Sequence, residues 1–379
     1  MRILICPDKF AGTLTAPEVA AAVAEGWRDR AAGDELLLRP LSDGGPGFVE
    51  VLATAVPGRR IRVPTVDPLG RPVEGEILLA ADGRTAYVES AQACGLHLLA
   101  PAERDPKRTT SYGLGALVAT AVEAGARRVV IGLGGSAVND AGAGLLAALN
   151  AVPVDDTGMA LPYGGAALAA VAGVVGRAQT RQVELIAATD VDNPLTGLTG
   201  ASSVYGPQKG ATREDVLLLD AALARFAGVL ERDLPGCPPG LAELPGAGAA
   251  GGLGAAVLAL GGRCESGIAL VSRLIGLDAA LDEADLVITG EGSFDHQSLR
   301  GKVVAGVAGA ARDRGLPCVV LAGRVSAGRR ESAAAGVTEA YSLVEHFGGE
   351  PHGGVERAMS RPAEGLRALA GRLAAQWSR

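Results

Sequence analysis

The sequence predicts an α/β protein of two domains: a doubly wound parallel-sheet domain built from both chain ends, interrupted by an inserted mixed α/β domain. Three observations carry that prediction. Short apolar runs that end in glycine-rich loops and lead into helix signals recur near both termini, as expected of strands buried on both faces. Between them, residues 60 to 90 alternate strands and turns as a meander. At 379 residues the chain also exceeds the size at which one core usually keeps growing. The expected division places 1–66 and 282–379 in the first domain and 67–281 in the insert.

The elements follow in order. Met1 to Cys6 reads as a buried strand, and the loop PDKFAGTL leads to Thr15-Ala-Pro-Glu18, a capping box with proline in the first turn, so a helix starts there. ELLLRPLSDGGPGFVEVLATAV repeats the strand, glycine loop and helix. RIRVPTV, VEGEILLA and TAYVES are the meander strands, joined by DPLG and ADGR, both turn signals. Strand–loop–helix order returns with RRVVIGLGGSAVNDAGAGLLAAL (127–149), and VELIAATDVDNPLTG (183–197) is a strand ending in acidic residues. The stretch 220–260 is mostly helical around a Pro/Gly-rich loop. ADLVITGEG, PCVVLAG and VTEAYSLV supply three further strands, and 354–377 a terminal helix.

Composition excludes several functions. Aromatic residues are 3% of the chain, too few for base-stacking platforms. The net charge is −7 with no Lys/Arg run, which disfavours nucleic acid and anionic membranes as partners. No apolar stretch reaches the roughly 18 residues of a membrane span. The five cysteines are scattered, without a CxxC or Cys/His cluster, so reduced thiols in a cytoplasmic protein are expected.

The candidate chemistry lies in glycine-rich loops at predicted strand ends: PDKFAG, SDGGPG, GLGGSAVND, ATDVDNPLTG, YGPQKGAT, PGAGAAGGLGAA and TGEGSFDHQ. Gly246, Gly248 and Gly251 match GxGxxG, but no strand precedes them, so a nicotinamide site is poorly supported. No GxxxxGK[ST] occurs. Gly134, Gly135 and Ser136, and the run holding Gly248 and Gly251, can offer backbone amides to phosphate oxygens; tight strand–helix packing would demand glycine there equally. Asp43, Asp140, Asp190, Asp192, Glu291 and Asp295 all fall in or beside these loops, more than helix caps alone explain. Phosphoryl transfer from ATP needs carboxylates to hold Mg²⁺, one to accept a hydroxyl proton, and cations on the moving phosphate. Lys9, Lys209 and Lys302 can supply the positive charge. His97 and His296 read as exposed loop residues.

Taken in order, these loops resemble the glycerate kinase family, the bacterial class that phosphorylates D-glycerate with ATP. PDKFAGTLTAPEVA, PLSDGGPGF, VESAQACGL, TTSYGLGAL, IGLGGSAVNDAGAGLLAAL, TDVDNPLTGLTGASSVYGPQKGAT, PGAGAAGGLGAA and ADLVITGEGSFDHQSLRGKV carry the likeness, from residue 7 to about 303. It implies a flavodoxin-like domain beside the inserted one, with the active site in the cleft between them. Asp8, Lys9, Asp43, Gly44, Gly45, Ser136, Asp140, Asp190, Asn193, Lys209, Glu291, Asp295 and Lys302 match its motif positions. On that basis Lys9, Asp43, Asp190 and Lys302 are expected to be catalytic. Asp8, Gly44, Gly45, Asn193, Glu291 and Asp295 are expected to bind the acceptor, Asp190 and Asp295 the metal, and Gly134, Gly135, Ser136, Lys209, Gly248 and Gly251 the nucleotide. The partners implied are ATP and a small hydroxy acid, and a homodimer is compatible with it.

Three motifs depart from the family. A lysine usual in PDKFKG is Ala11; DGGEGT becomes DGGPGF, with Pro46 and Phe48 replacing a carboxylate and a hydroxyl; and GEGRID becomes GEGSFD, with Ser293 replacing an arginine. An arginine would pair naturally with a substrate carboxylate. The alternative reading is therefore a homologue with a different acceptor, or a non-catalytic sensor of nucleotide or metabolite.

Overall fold

A computed structural model of the chain describes residues 1–180, 183–299 and 303–378. The chain forms two compact units, one of Met1–Asp43, Glu50–Ala55 and Ile268–Arg379, the other of Gly44–Val49 and Val56–Gly267. β1 (Arg2–Ile5) and β2 (Glu35–Leu38) open the first unit. The second holds β3 (Gly58–Val66), β4 (Pro72–Ala80), β5 (Thr85–Glu89), β6 (Arg128–Gly132), β7 (Ala151–Val154), β8 (Gly173–Gly176), β9 (Glu184–Ala188) and β10 (Arg263–Glu265). The chain then returns to the first with β11 (Leu286–Phe294), β12 (Cys318–Val325) and β13 (Glu339–Ser342).

The first unit is built on a five-stranded sheet in the order β13-β12-β11-β1-β2, every pair parallel. Ile3, Ile5, Leu286, Ile288, Val319 and Leu321 pack on one face with the helices Ala16–Arg28 and Pro362–Trp377. Leu4, Val287 and Val320 are buried as completely, and the helix Val303–Asp313 packs against β11 and β12. Helices on both faces account for the unbroken apolar runs. The capping box forms as expected: Glu18 N donates to Thr15 Oγ1, and Thr15 N donates to Glu18 Oε2 at 2.8 Å. The terminal segment is two helices rather than one, Gly354–Ser360 and Pro362–Trp377, because Pro362 disfavours helical geometry at Arg361.

The strand order makes the loop placement functional. From β1 the sheet grows one way to β2, and from β11 the other way to β12 and β13. The reversal lies between β1 and β11, and ligands of open α/β sheets bind at the carboxyl ends of strands at such a switch point. PDKF leaves the end of β1 and GEGSF closes β11.

The second unit has a six-stranded mixed sheet, β10-β9-β6-β5-β4-β3, and a separate antiparallel β7–β8 pair. β3, β4 and β5 are the antiparallel meander, whereas β5, β6, β9 and β10 run parallel. β3 therefore belongs to this unit and not to residues 1–66 as the sequence predicts, since its full length pairs with β4. The return to the first unit falls near residue 268 rather than 282. β7, β8 and β10 carry only three or four residues each, too few for periodicity to reveal.

Candidate active site

In the first unit the strand ends surround a cavity of about 440 Å³, lined in part by Asp8, Lys9, Asp43, Glu291, Ser293 and Arg324. The loop after β1 is tied to β11: Cys6 N donates to the Ile288 carbonyl and Asp8 N to the Gly290 carbonyl, both at 2.8 Å. That fixes Asp8 and Lys9 at the switch point. Lys9 Nζ lies 3.6 Å from Asp8 Oδ1 and 3.8 Å from Asp43 Oδ1, a cation between two carboxylates. Burial pushes the Asp8 carboxyl up to about 6; the Lys9 charge opposes that shift and Asp43 adds to it. Glu291, within the carboxyl-terminal half of β11, is 8% exposed and lines the same cavity.

Asp295 lies just past β11. Its Oδ1 accepts the amide hydrogens of Gln297 at 2.7 Å and Ser298 at 3.2 Å, so this oxygen holds the turn. Lys302 lies outside the described residues. His97 and His296 are exposed, as the sequence predicts.

In the second unit the glycine loops pack backbone to backbone. A Cβ on Gly134 would stand 2.6 Å from Gly45 Cα, and one on Gly44 would stand 2.6 Å from the Ala188 carbonyl oxygen. Only glycine admits that approach. Glu89, buried at the end of β5, accepts the amide hydrogens of Gly47 at 3.1 Å and Val49 at 3.3 Å, which anchors the SDGGPGF loop. Phe48 is fully buried and meets the Tyr87 ring edge-on at 6.4 Å; it fills core volume. Pro46 packs beside Gly135. Of the departures from the family pattern, Ala11 and Ser293 line the first unit's cavity, while Pro46 and Phe48 are packing residues.

Lys209 is 2% exposed, and its ammonium donates to Ser136 Oγ at 3.0 Å and to the Val138 carbonyl at 2.6 Å. Burial drives its pKa down to about 7, against the opposing pull of Asp140. Lys209 thus braces the Gly134–Val138 loop from within. Asp140 is likewise buried; its Oδ2 accepts from Ser111 N and Oγ at 2.8 and 2.9 Å and from Gly144 N at 3.2 Å. Burial raises its pKa, and those hydrogen bonds oppose the rise.

Asp190 and Asn193 follow β9. Asp190 is exposed and accepts from Ser266 Oγ at 2.5 Å. Asn193 is fixed by Tyr205, whose hydroxyl donates to Oδ1 at 2.6 Å, and by its own Nδ2 donating to the Thr199 carbonyl at 2.8 Å. Gly248 N donates to the Asn193 carbonyl and Gly251 N to the Gly248 carbonyl. These two amides, expected to face phosphate, are instead engaged within the protein. Gly251 takes a φ of 74°, and a Cβ there would lie 1.9 Å from the Val138 carbonyl oxygen, so backbone approach explains that glycine. Glu89 and Arg324 are absent from the sequence expectations. VESAQACGL contains Glu89 but gives no sign that its carboxylate caps another loop, and Arg324 enters only through strand register.

Carboxylates and a lysine gathered at a topological switch point of a parallel sheet stand where enzymes of the α/β class bind their ligands. The glycerate kinase family model matches residues 3–378. The glycerate kinase of Bacillus subtilis (strain 168) is 40% identical over 348 residues, 91% of this chain and 90% of that protein. The glycerate 2-kinase of Escherichia coli (strain K12) is 40% identical over 332 residues, 86% of each. A solved structure from Salmonella typhimurium LT2, assigned by its name to glycerate kinase 2, superposes with a TM-score of 0.81 at 40% identity, covering 99% of this chain and 98% of that one. The chain belongs to the glycerate kinase family, and it is a kinase, a phosphotransferase acting on an alcohol group. Among the described residues no helix is long and apolar enough to cross a membrane.

Proposed function

We propose that this protein phosphorylates D-glycerate with ATP and that 2-phosphoglycerate is the favoured product. The observation that carries the reading is Lys9 held between Asp8 and Asp43 in the first unit's cavity, in a chain of this family. In the reaction the acceptor hydroxyl oxygen bonds to the γ-phosphorus, the bond from that phosphorus to the ADP oxygen breaks, and the hydroxyl proton passes to a carboxylate. Asp8 suits that role, because a base that titrates near neutrality is best matched to it; Asp43 is the second carboxylate at the same lysine. Lys9 stabilises charge on the transferring group. The Gly134–Ser136 loop is the candidate cradle for nucleotide phosphates.

The donor chemistry fits a magnesium ion only in the manner usual for nucleotides. Among the described residues no cluster of three or more metal-ligating side chains occurs, and Mg²⁺ commonly takes one or two carboxylates with phosphate and water completing the shell. Asp190, exposed at the end of β9, would serve; Asp295 fits less well, with one oxygen holding its own turn. When bound, the ion neutralises charge on the phosphates. The name of the Escherichia coli relative, a glycerate 2-kinase, supports the 2-hydroxyl as the position modified.

A coupled assay of ADP release with D-glycerate and a panel of sugar acids tests the activity, and NMR of the product tests the position. Turnover stimulated by D-glycerate with phosphorus on O2 is expected. ATP binding with no acid-stimulated turnover would instead establish the non-catalytic sensor.

A further inference from the structure

The parallel register sets Ser293 of β11 beside Arg324 of β12. Adjacent strands lie about 4.8 Å apart, so an arginine at either position reaches nearly the same space. Arg324 lines the same cavity as Asp8, Lys9 and Ser293. Its guanidinium pairs with Glu350 at 2.6 Å, with both side chains more than half exposed. An ion pair that open to solvent contributes little, and a ligand carboxylate can replace it. The planar guanidinium fork matches a carboxylate in a way a lysine does not.

We propose that Arg324 binds the carboxylate of the acceptor, its guanidinium reaching the cavity from the strand beside Ser293. The inference rests on the hydroxy-acid kinase reading and adds the residue that selects an acid over a plain alcohol. Held at Arg324, the acid presents its hydroxyl toward Asp8 and Lys9, while Glu350 is displaced.

Two measurements on the full chain test it. In steady-state kinetics Arg324→Gln should raise KM for D-glycerate about ten- to a hundredfold, the loss expected for a hydrogen bond between charged groups. KM for ATP and the melting temperature should stay near wild type. Adding Ser293→Arg to that variant should recover most of the affinity, whereas Arg324→Lys should recover only part. An unchanged KM for D-glycerate in Arg324→Gln would overturn the proposal. Calorimetry with D-glycerate and with glycerol, which lacks the carboxylate, judges Arg324 separately from turnover. Wild type should bind the acid and not glycerol, and Arg324→Gln should lose the preference. Equal binding of D-glycerate by both proteins, or none by either, overturns the assignment. Absent ADP release in wild type with intact, Arg324-dependent acid binding would sink the kinase reading alone.

Discussion

Each unit places an aspartate and a lysine in glycine-rich strand-end loops, and the two sets do opposite work. In the first unit Lys9 keeps 23% of its side-chain surface exposed and faces a cavity from between two carboxylates. In the second, Lys209 is sealed in the core with its donors committed to Ser136 and Val138, and Asp140 is committed to Ser111 and nearby amides. One set lines a cavity; the other holds loops in place. A buried ionisable group is tolerated only where hydrogen bonds compensate its lost hydration, and Lys209 and Asp140 have them.

The contrast is sharpest in paired lysine variants. Lys9→Met should lower kcat by about a hundred- to a thousandfold, the cost of removing one group that stabilises developing charge, with stability changed by less than about 1 kcal/mol. Steady-state kinetics beside urea unfolding would separate the two; a stability loss matching the loss of activity would erase the distinction.

Lys209→Met should do the reverse, costing roughly 2–4 kcal/mol of stability by leaving buried acceptors unmatched. The pH dependence has a definite sign. The unfolded chain takes up the lysine proton near 10.5 and the folded chain only near 7, so between those values the unfolded state binds more protons and wild-type stability rises with pH. The penalty of Lys209→Met should therefore be larger at about pH 9.5 than at about pH 7 in urea titrations. A penalty independent of pH would show that the ammonium stays charged in the folded protein.

Asp8 should shift stability less than Lys209 does. Its folded-state pKa is raised from 3.8 to about 6, so the folded state binds the extra proton, and stability falls as pH rises through that window. Asp8→Asn should then stabilise the protein by roughly 1–3 kcal/mol at neutral pH, with the gain vanishing below about pH 4, while turnover is lost. Melting curves across that range provide the check. A variant less stable at neutral pH would mean that the attraction to Lys9 outweighs burial.

Much of the fold is legible in local sequence. The capping box at Thr15, the meander from residue 60 and the apolar runs around Ile3, Val287 and Val320 each depend on neighbours in sequence or on strand burial, which composition reports directly. The short strands β7, β8 and β10 are not legible, nor is the membership of β3, because pairing partners rather than residue type decide them. At the site, the sequence identifies Asp8, Lys9, Asp43 and Glu291 as chemically able residues, and the structure brings those four to one cavity. It equally marks Lys209, Gly248 and Gly251, whose donors the packing turns inward.

By itself, then, the sequence determined the fold class, the family and the stock of carboxylates, lysines and glycines at strand ends. Those follow from residue type and order along the chain. Only the tertiary structure decided which lysine faces a cavity, which glycines exist for backbone contact, and that Arg324 stands beside Ser293. Exposure and cross-strand register are properties of what packs against a residue, and partners distant along the chain leave no local mark.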